Sequence, residues 1–170
     1  HVSSIEKTQR TRVSLPPFTT STLQQTASNR LGWSAKQTMM IAQQLYEEGY
    51  ITYHRTDSVA LSSQAVEMAR AYIPVNFGKN YLPETPRFFK TLSKNAQEAH
   101  EAVRPTNVSV QDPKESVGEL ADKHKKLYNL IWRRFLASQM ASAVYDQTTI
   151  VTETKAEVKE DAKHASDTYA

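Results

Sequence analysis

The chain has 170 residues, of which 39% are hydrophobic and 23% charged, a composition typical of a globular domain rather than a disordered segment. It has no apolar run near the roughly 20 residues of a membrane span and no cysteine, which excludes thiolate zinc sites and disulfides and favours a cytoplasmic protein without a membrane partner. The net charge of +3 permits a polyanionic partner but is too small to indicate one.

The first 31 residues predict a strand followed by a helix. Weak alternation and basic residues over 2–15 indicate an edge strand, and Pro16 and Pro17 end it because proline cannot donate to a ladder. Ser21 with Gln24 three residues later forms a capping-box pattern that predicts the start of a helix. The inward face of this helix is predicted to contain Leu23, Ala27 and Leu31.

A second helix follows a short turn at Gly32. Ser34 with Gln37 repeats the capping-box pattern, and the helix is expected to run to about Glu48, with Gly49 as a left-handed cap. Its inward residues are predicted to be Met40, Ile41 and Leu45. Two helices joined by a glycine-containing turn form a helix-turn-helix arrangement, and the strand-like YITYHR that follows suggests a winged-helix variant. A plain helical hairpin that only packs a core fits the same pattern.

The middle of the chain predicts a third helix and a long loop. The helix is expected over 62–73, closed by Pro74, with a buried stripe of Ala65, Val66, Ala69 and Ile73. Residues 74–96 contain proline, glycine and isolated aromatics, which predicts a surface loop anchored by rings. QEAHEAV (97–103) is expected to form a short helical turn.

The last third of the chain predicts the longest helix, over 118–141, and a second strand over 144–153. The apolar face of the helix is predicted to be Leu120, Leu127, Ile131 and Phe135. The charged stretch after the strand is expected to be an exposed loop. The fold class is therefore predicted to be α+β and mainly α.

Tyr53 lies in GYITYHRTDS (49–58), where a phenol is surrounded by charged and hydrogen-bonding groups. A tyrosine in such a segment can simply pack against a core. It can also act as a nucleophile on a phosphodiester, because phenolate is a tolerable leaving group and the ester can be made and reversed at similar cost. Arg55 would share the face of Tyr53 on an extended strand, and its guanidinium could hold two phosphate oxygens.

QEAHEAVRPT (97–106) supplies further candidates for this chemistry. His100 stands between two glutamates, with Arg104 just beyond, and could donate to a phosphate or to the reacting oxygen. The alternative is a solvated turn whose charges pair locally. The pattern lacks the second histidine of a zinc site, so no metal is expected there.

Three motifs in this order carry a family resemblance: PPFTTSTLQQTAS (16–28), LYEEGYITYHRTDS (45–58) and NAQEAHEAVRPT (95–106). Together they closely resemble the type IA DNA topoisomerases, in the form of the bacterial topoisomerase I branch. The resemblance implies that Tyr53 cleaves one DNA strand and keeps its 5′ phosphate as a covalent ester. It also implies that Arg55 binds the scissile phosphate and that His100 helps to order the active site.

The resemblance further implies a domain organisation. Residues 1–15 would be a strand of a β-rich arch domain, 16–141 a helical gate domain with a CAP-like helix-turn-helix core, and 142–170 a strand and charged loop that return to the arch. We expect the chain to be a fragment, because the family's Toprim domain, which binds Mg²⁺, is missing. No cofactor is therefore expected here, and the fragment alone should not relax supercoiled DNA.

The expected partners are single-stranded DNA at the cleavage site and the Toprim domain of the full-length enzyme, in a nucleoid-associated cytoplasmic protein. Arg30 and Arg104 are predicted to add backbone contacts to DNA. His54 replaces the methionine or proline of the family pattern and is expected to face away from Tyr53, without a catalytic role. Two alternatives stay open, a non-catalytic winged-helix DNA-binding module and a purely structural domain.

Overall fold

The computed structural model describes residues 1–89, 101–113 and 119–154. In chain order their regular elements are β1 (Val2–Arg12), α1 (Thr20–Leu31), α2 (Ala35–Glu47), α3 (Ser63–Asn76), a short 3₁₀ helix (Lys79–Tyr81), α4 (Glu119–Gln139) and β2 (Ala143–Thr152). The chain divides into two compact units, one made of His1–Arg12 and the chain from Val144 onward, the other of Val13–Ala143. The prediction of a mainly helical α+β chain is confirmed. Within the described residues, no helix has the length and apolarity that a bilayer span requires.

The first unit contains a two-stranded sheet of β1 and β2. Ser3 bonds Glu153 through its hydroxyl at 2.8 Å, and the Gln9 amide donates to Asp146 at 3.2 Å. Residue numbers therefore rise along one strand while those of their partners fall, so the pairing is antiparallel. Both predicted strands are confirmed, and every residue of β1 and β2 is exposed.

The helix α1 begins at a threonine cap rather than at Ser21, so that prediction is wrong. The Thr19 side chain accepts from the Thr22 N–H, and the Thr22 hydroxyl accepts from the Thr19 N–H, which completes a capping box two residues earlier. Leu23 and Ala27 are buried as predicted.

The helix α2 begins and ends as its sequence predicts. Ser34 caps it by accepting from the Gln37 N–H at 3.2 Å, and Gly49 adopts a left-handed φ of 77° just beyond its end. Ile41 and Leu45 are buried, but Met40 is 49% exposed, so its predicted inward position is wrong. The buried stripe recurs at intervals of three and four residues, and Met40 falls outside that spacing.

The segment after α2 is not a strand, contrary to prediction. Only Ile51 forms a bridge, to Pro105. The Thr52 N–H donates to the Arg104 carbonyl at 2.9 Å and the Thr106 N–H to the Tyr50 carbonyl at 3.0 Å. Beyond Thr52 the backbone bonds the start of α1 instead, so no ladder continues.

The helix α3 has the predicted buried stripe and a Ser62 cap, but Pro74 lies inside it. Proline removes only its own N–H from the ladder, and the Phe77 N–H still bonds the Ile73 carbonyl at 2.9 Å. Of the rings predicted to anchor the following loop, that of Phe77 packs against Tyr72 and Trp132, with centroids 6.2 and 6.5 Å away. The rings of Tyr81 and Phe88 are exposed. Most of the helical turn predicted over 97–103 lies outside the described residues, and Val103 is non-helical because it bridges Phe18.

The helix α4 packs against α1, α2 and α3. Leu127 and Ile131 enter a buried cluster with residues of α1 and α2, while Phe135 enters a second cluster with α3. Trp132 packs against both clusters. The predicted inward positions at 127, 131 and 135 are confirmed, and the side chain of residue 120 lies outside the described part.

Candidate active site

The segment that carries Tyr53 is held on both sides by hydrogen bonds, most of which join a threonine hydroxyl to a backbone group. On the N-terminal side, the Thr52 hydroxyl donates to the Ala102 carbonyl at 2.8 Å and accepts from the Arg104 N–H at 3.0 Å. This leaves few free torsions between Thr52 and the nucleophile candidate. The local structure therefore presents Tyr53 from an anchored backbone.

On the C-terminal side, the first residue of α1 holds the backbone around Arg55. The Thr20 hydroxyl donates to the His54 carbonyl at 2.8 Å and accepts from the Thr56 N–H at 2.9 Å. The Thr20 N–H also donates to the Thr56 carbonyl at 2.8 Å. No sequence pattern pointed to Thr20, because its partners are more than thirty residues away in the chain.

Burial alternates along this segment although it is not a strand. Tyr53, Arg55 and Asp57 are exposed, whereas the residues between them, His54 and Thr56, are buried. Tyr53 is 44% exposed, so the residue is accessible to a ligand. The interpretation of Tyr53 as a core aromatic does not fit this exposure.

The ring of Tyr53 contacts two other rings edge-on. Its centroid lies 5.2 Å from that of Tyr46 and 5.3 Å from that of His54. Such edge-to-face contacts are the preferred geometry of aromatic pairs. The orientation of the phenol is therefore set by its neighbours.

His54 is fully buried, and neither ring nitrogen has a hydrogen-bond partner within the described residues. Burial, together with the charge of Arg55, lowers the pKa of His54, while Glu47 acts in the opposite direction. The imidazole is therefore neutral at physiological pH. Its side chain points inward while that of Tyr53 is exposed, but the two rings are in contact.

Arg104 is engaged inside the protein. It is 13% exposed and bonds Glu101 at 2.6 Å, and Glu101 also accepts from the Ser62 N–H at 2.5 Å. Burial alone would raise the pKa of Glu101, but its hydrogen bonds with Arg104 and Ser62 lower it. The local pairing that the sequence left open therefore occurs here, and a DNA contact by Arg104 stays a prediction.

Of the remaining predicted site residues, Arg30 lies within the described part of the chain and His100 does not. His100 lies outside the described residues, so its predicted place in the site stays a prediction. Arg30 is exposed in the last turn of α1, about 15 Å along the helix from Thr20 at roughly 1.5 Å per residue. Within the described ranges, no group of three or more histidine or acidic side chains could hold a metal ion.

An accessible phenol with an accessible guanidinium two residues later is compatible with covalent phosphoryl transfer. The family model for DNA topoisomerase matches residues 1–168. The chain therefore belongs to the type IA DNA topoisomerases of the bacterial branch, and the predicted family resemblance is confirmed.

Relatives within this family are similar to most of the chain. DNA topoisomerase 1 of Escherichia coli is 54% identical over 150 residues, which is 87% of this chain and 17% of that protein. DNA topoisomerase 1 of Synechococcus elongatus is 51% identical over 152 residues, again 17% of its length. The full-length topoisomerase I structure from Thermotoga maritima superposes with a TM-score of 0.68 at 43% identity, covering 88% of this chain and 24% of that one. The chain thus spans about a fifth of these relatives.

Proposed function

We propose that this chain carries the nucleophile of a type IA DNA topoisomerase, an isomerase that relaxes negatively supercoiled DNA. Tyr53 is the nucleophile and single-stranded DNA is its substrate. The observation that supports this most directly is the 44% exposure of Tyr53 in a segment anchored on both sides. Arg55, exposed two residues later, is the phosphate-binding partner.

The proposed reaction exchanges one phosphodiester for another. The phenolic oxygen of Tyr53 gives up its proton and attacks phosphorus in line. The bond between phosphorus and the 3′ oxygen breaks, and that oxygen takes up a proton and leaves as the 3′ hydroxyl of the DNA. The 5′ phosphate stays on Tyr53. Because bond energy is retained in the ester, the reverse attack by the 3′ hydroxyl rejoins the strand without ATP.

Four other residues have proposed supporting roles. Arg55 neutralises charge that develops on the phosphate in the transition state, and His100 orders the site by donating to the phosphate or the reacting oxygen. Arg30 contacts the DNA backbone. Arg104 would need to exchange Glu101 for a phosphate to do the same, and its backbone meanwhile holds Thr52 beside the nucleophile.

The remaining parts of the active site belong to the rest of the protein. We assign residues 16–141 to a gate domain whose CAP-like helix-turn-helix core is α1 and α2, and the flanking strands in 1–15 and 142–170 to an arch domain. The Toprim domain would be the partner across the interface and would supply Mg²⁺, which stabilises charge on the DNA when bound. The protein would act in the cytoplasm, on the nucleoid.

The test is a covalent trapping experiment. The chain is mixed with a separately expressed Toprim-containing polypeptide, Mg²⁺ and a 3′-labelled single-stranded oligonucleotide, and then denatured. A labelled protein–DNA adduct is expected, and Tyr53→Phe should abolish it. Tyr81→Phe is the matched control, since Tyr81 is also an exposed tyrosine of the same unit, and should leave the adduct unchanged.

Other outcomes of the same experiment would identify the alternatives. The absence of an adduct, together with retention of duplex DNA that is measured separately without denaturation and is unchanged in Tyr53→Phe, would support the non-catalytic winged-helix module built on α1 and α2. Neither adduct nor DNA retention would support a structural domain. An adduct that persists in Tyr53→Phe would refute Tyr53 as the nucleophile.

A further inference from the structure

An open groove of about 560 Å³ lies between the last turn of α1 and one side of α4. Five of its ten lining residues are basic and one is acidic. The charged residues are Arg30, Lys125, Lys126, Arg133, Arg134 and Asp122. This concentration of basic residues is unusual for a chain whose net charge is only +3.

The two lysines of the groove are neutralised by acids. Lys126 pairs with Asp122 at 2.6 Å, and Lys125 with Asp112 at 3.0 Å. The three arginines have no ion pair among the described residues. Three guanidinium groups of the groove are thus without a counter-charge from the described protein.

Arg134 is held in place at the groove wall. Its guanidinium carbon lies 4.3 Å from the centroid of the Phe18 ring, and its Nη1 donates to the Pro16 carbonyl at 3.4 Å. Burial, together with the charge of Arg30, lowers the pKa of Arg134. Two like charges close together are unfavourable unless an anion joins them, so the pair is prepared for a negatively charged ligand.

The other walls of the groove define which part of a nucleic acid would fit. They are formed by Leu31, Leu130, Ala137 and Asn129, and none of the lining residues is aromatic within the described chain. Proteins that read bases in single strands use aromatic stacking. A lining that offers guanidinium groups but no aromatic ring on which a base could stack contacts phosphates instead and does not distinguish sequence.

The groove is separate from the surface of Tyr53 but belongs to the same unit. Arg30 follows Thr20 by ten residues on α1, so the two lie about 15 Å apart along the helix. Thr20 bonds the backbone next to Arg55. A DNA strand engaged at Tyr53 could therefore reach the groove with a few further nucleotides, since neighbouring phosphates are spaced about 3.4 Å apart along the axis even in a duplex strand.

We propose that this groove is a second binding site for DNA, taking the phosphate backbone at a distance from the cleavage site. The choice of DNA as the polyanion rests on the proposed function of Tyr53. The ligand is recognised by Arg30, Arg133 and Arg134 through charge-assisted hydrogen bonds. Its role is to hold the strand on this unit independently of the covalent bond at Tyr53.

The test measures binding of the chain to a fluorescein-labelled single-stranded oligonucleotide by anisotropy, as a function of salt. The double variant Arg30→Gln with Arg133→Gln should weaken binding at least roughly tenfold. The slope of log K against log salt should fall in magnitude by about 1.4, because each single-strand phosphate contact contributes roughly 0.7. Both residues are exposed, and circular dichroism checks that the variant is folded.

The matched control is Lys36→Gln with Lys79→Gln, which removes the same charge from exposed positions of the same unit outside the groove. It should leave affinity and salt slope nearly unchanged. If the two double variants weaken binding equally, the groove is not a specific DNA site and the binding reflects the overall positive charge of the surface. Tyr53→Phe should keep the groove-dependent binding. If the wild-type chain binds through the groove but forms no adduct in the trapping experiment, the proposed function is refuted and the groove is not.

Discussion

Three rings meet at Tyr53, and they differ in exposure, because Tyr53 and Tyr46 are exposed whereas His54 is buried. The centroids of Tyr46 and His54 are 5.9 Å apart, and each contacts Tyr53 at a shorter distance. His54 is fully buried and contributes a ring surface rather than a hydrogen bond. Replacing the methionine or proline of the family pattern by histidine therefore keeps an apolar support only while the imidazole is neutral.

The buried His54 predicts a dependence of stability on pH. Because the pKa of His54 is lower in the folded than in the unfolded chain, the unfolded chain binds more protons as the pH falls through the range between the two values. The contribution of neutral His54 is thus fully present above its unfolded pKa of about 6.5 and declines below it. His54→Met should flatten the pH dependence of the urea midpoint between about pH 7.5 and about pH 5.5.

Glu101 provides an internal check on that measurement. Its lowered pKa means that its contribution to stability is present above the ordinary carboxylate pKa of about 4.3 and is lost only under more acidic conditions. Wild type and His54→Met should therefore lose stability in parallel below about pH 4.5. A histidine variant that keeps the full decline between neutral and mildly acidic pH would contradict the role of His54.

The alternation of the sequence around Tyr53 predicted exposure correctly and secondary structure incorrectly. Tyr53 and Arg55 are exposed because their neighbours turn inward, which a period of two describes whether or not a ladder forms. The ladder itself depends on a partner segment, and the partner ends with the bond between Thr52 and Arg104. The engagement of Arg104 depends likewise on Ser62, whose contact with Glu101 spans 39 positions and leaves no local signal.

Helix starts show the same division between local and tertiary causes. Ser34 was predicted as a cap because its partner Gln37 is three residues away. For α1, the spacing rule allowed Ser21, whereas the structure uses Thr19. The choice is favoured by the Thr20 N–H, which bonds the distant Thr56 carbonyl and so fixes where the helix begins.

The first turn of α1 predicts an effect on both stability and cleavage. Thr20→Val removes the hydroxyl that donates to the His54 carbonyl and accepts from the Thr56 N–H. The buried Thr56 N–H then lacks its acceptor, which should lower the free energy of unfolding by about 1–3 kcal/mol. The backbone on either side of Arg55 would loosen, so the yield of covalent adduct should fall. Urea denaturation and the trapping experiment measure the two effects.

Thr20→Ser is the matched variant, because it keeps the hydroxyl and removes only a methyl group. It should retain most of the stability and most of the adduct. If Val and Ser at position 20 behave alike in both measurements, the hydroxyl does not hold the segment, and the anchoring of Arg55 must come from the Thr20 backbone alone.

At the scale of the whole molecule, the two units differ in how they are stabilised. The helical unit has two buried clusters that share Trp132 and are organised around α4. The Tyr128 hydroxyl donates to the Val110 carbonyl at 2.6 Å, and the Trp132 indole donates to the Val108 carbonyl at 2.9 Å. These bonds fix the segment after the 101–106 stretch onto α4 and, through it, the backbone that pairs with Thr52.

The strand pair has no comparable burial, and this predicts a difference in hydrogen exchange. Every residue of β1 and β2 is exposed, and an isolated two-stranded ribbon is marginally stable in water. Its opening free energy should be close to zero, whereas the amides of α4 around Ile131 should open only with the helical unit, at about 5–15 kcal/mol. Exchange monitored by mass spectrometry should therefore label 2–12 and 143–152 orders of magnitude faster than 127–136.

Peptides from α3, which is helical and has its own buried stripe, serve as the control for hydrogen bonding within a packed unit. Protection of the ribbon equal to that of α3 and α4 would mean that pairing between its two strands is stabilised by more than their own ladder, and would refute the view that burial alone separates the two units.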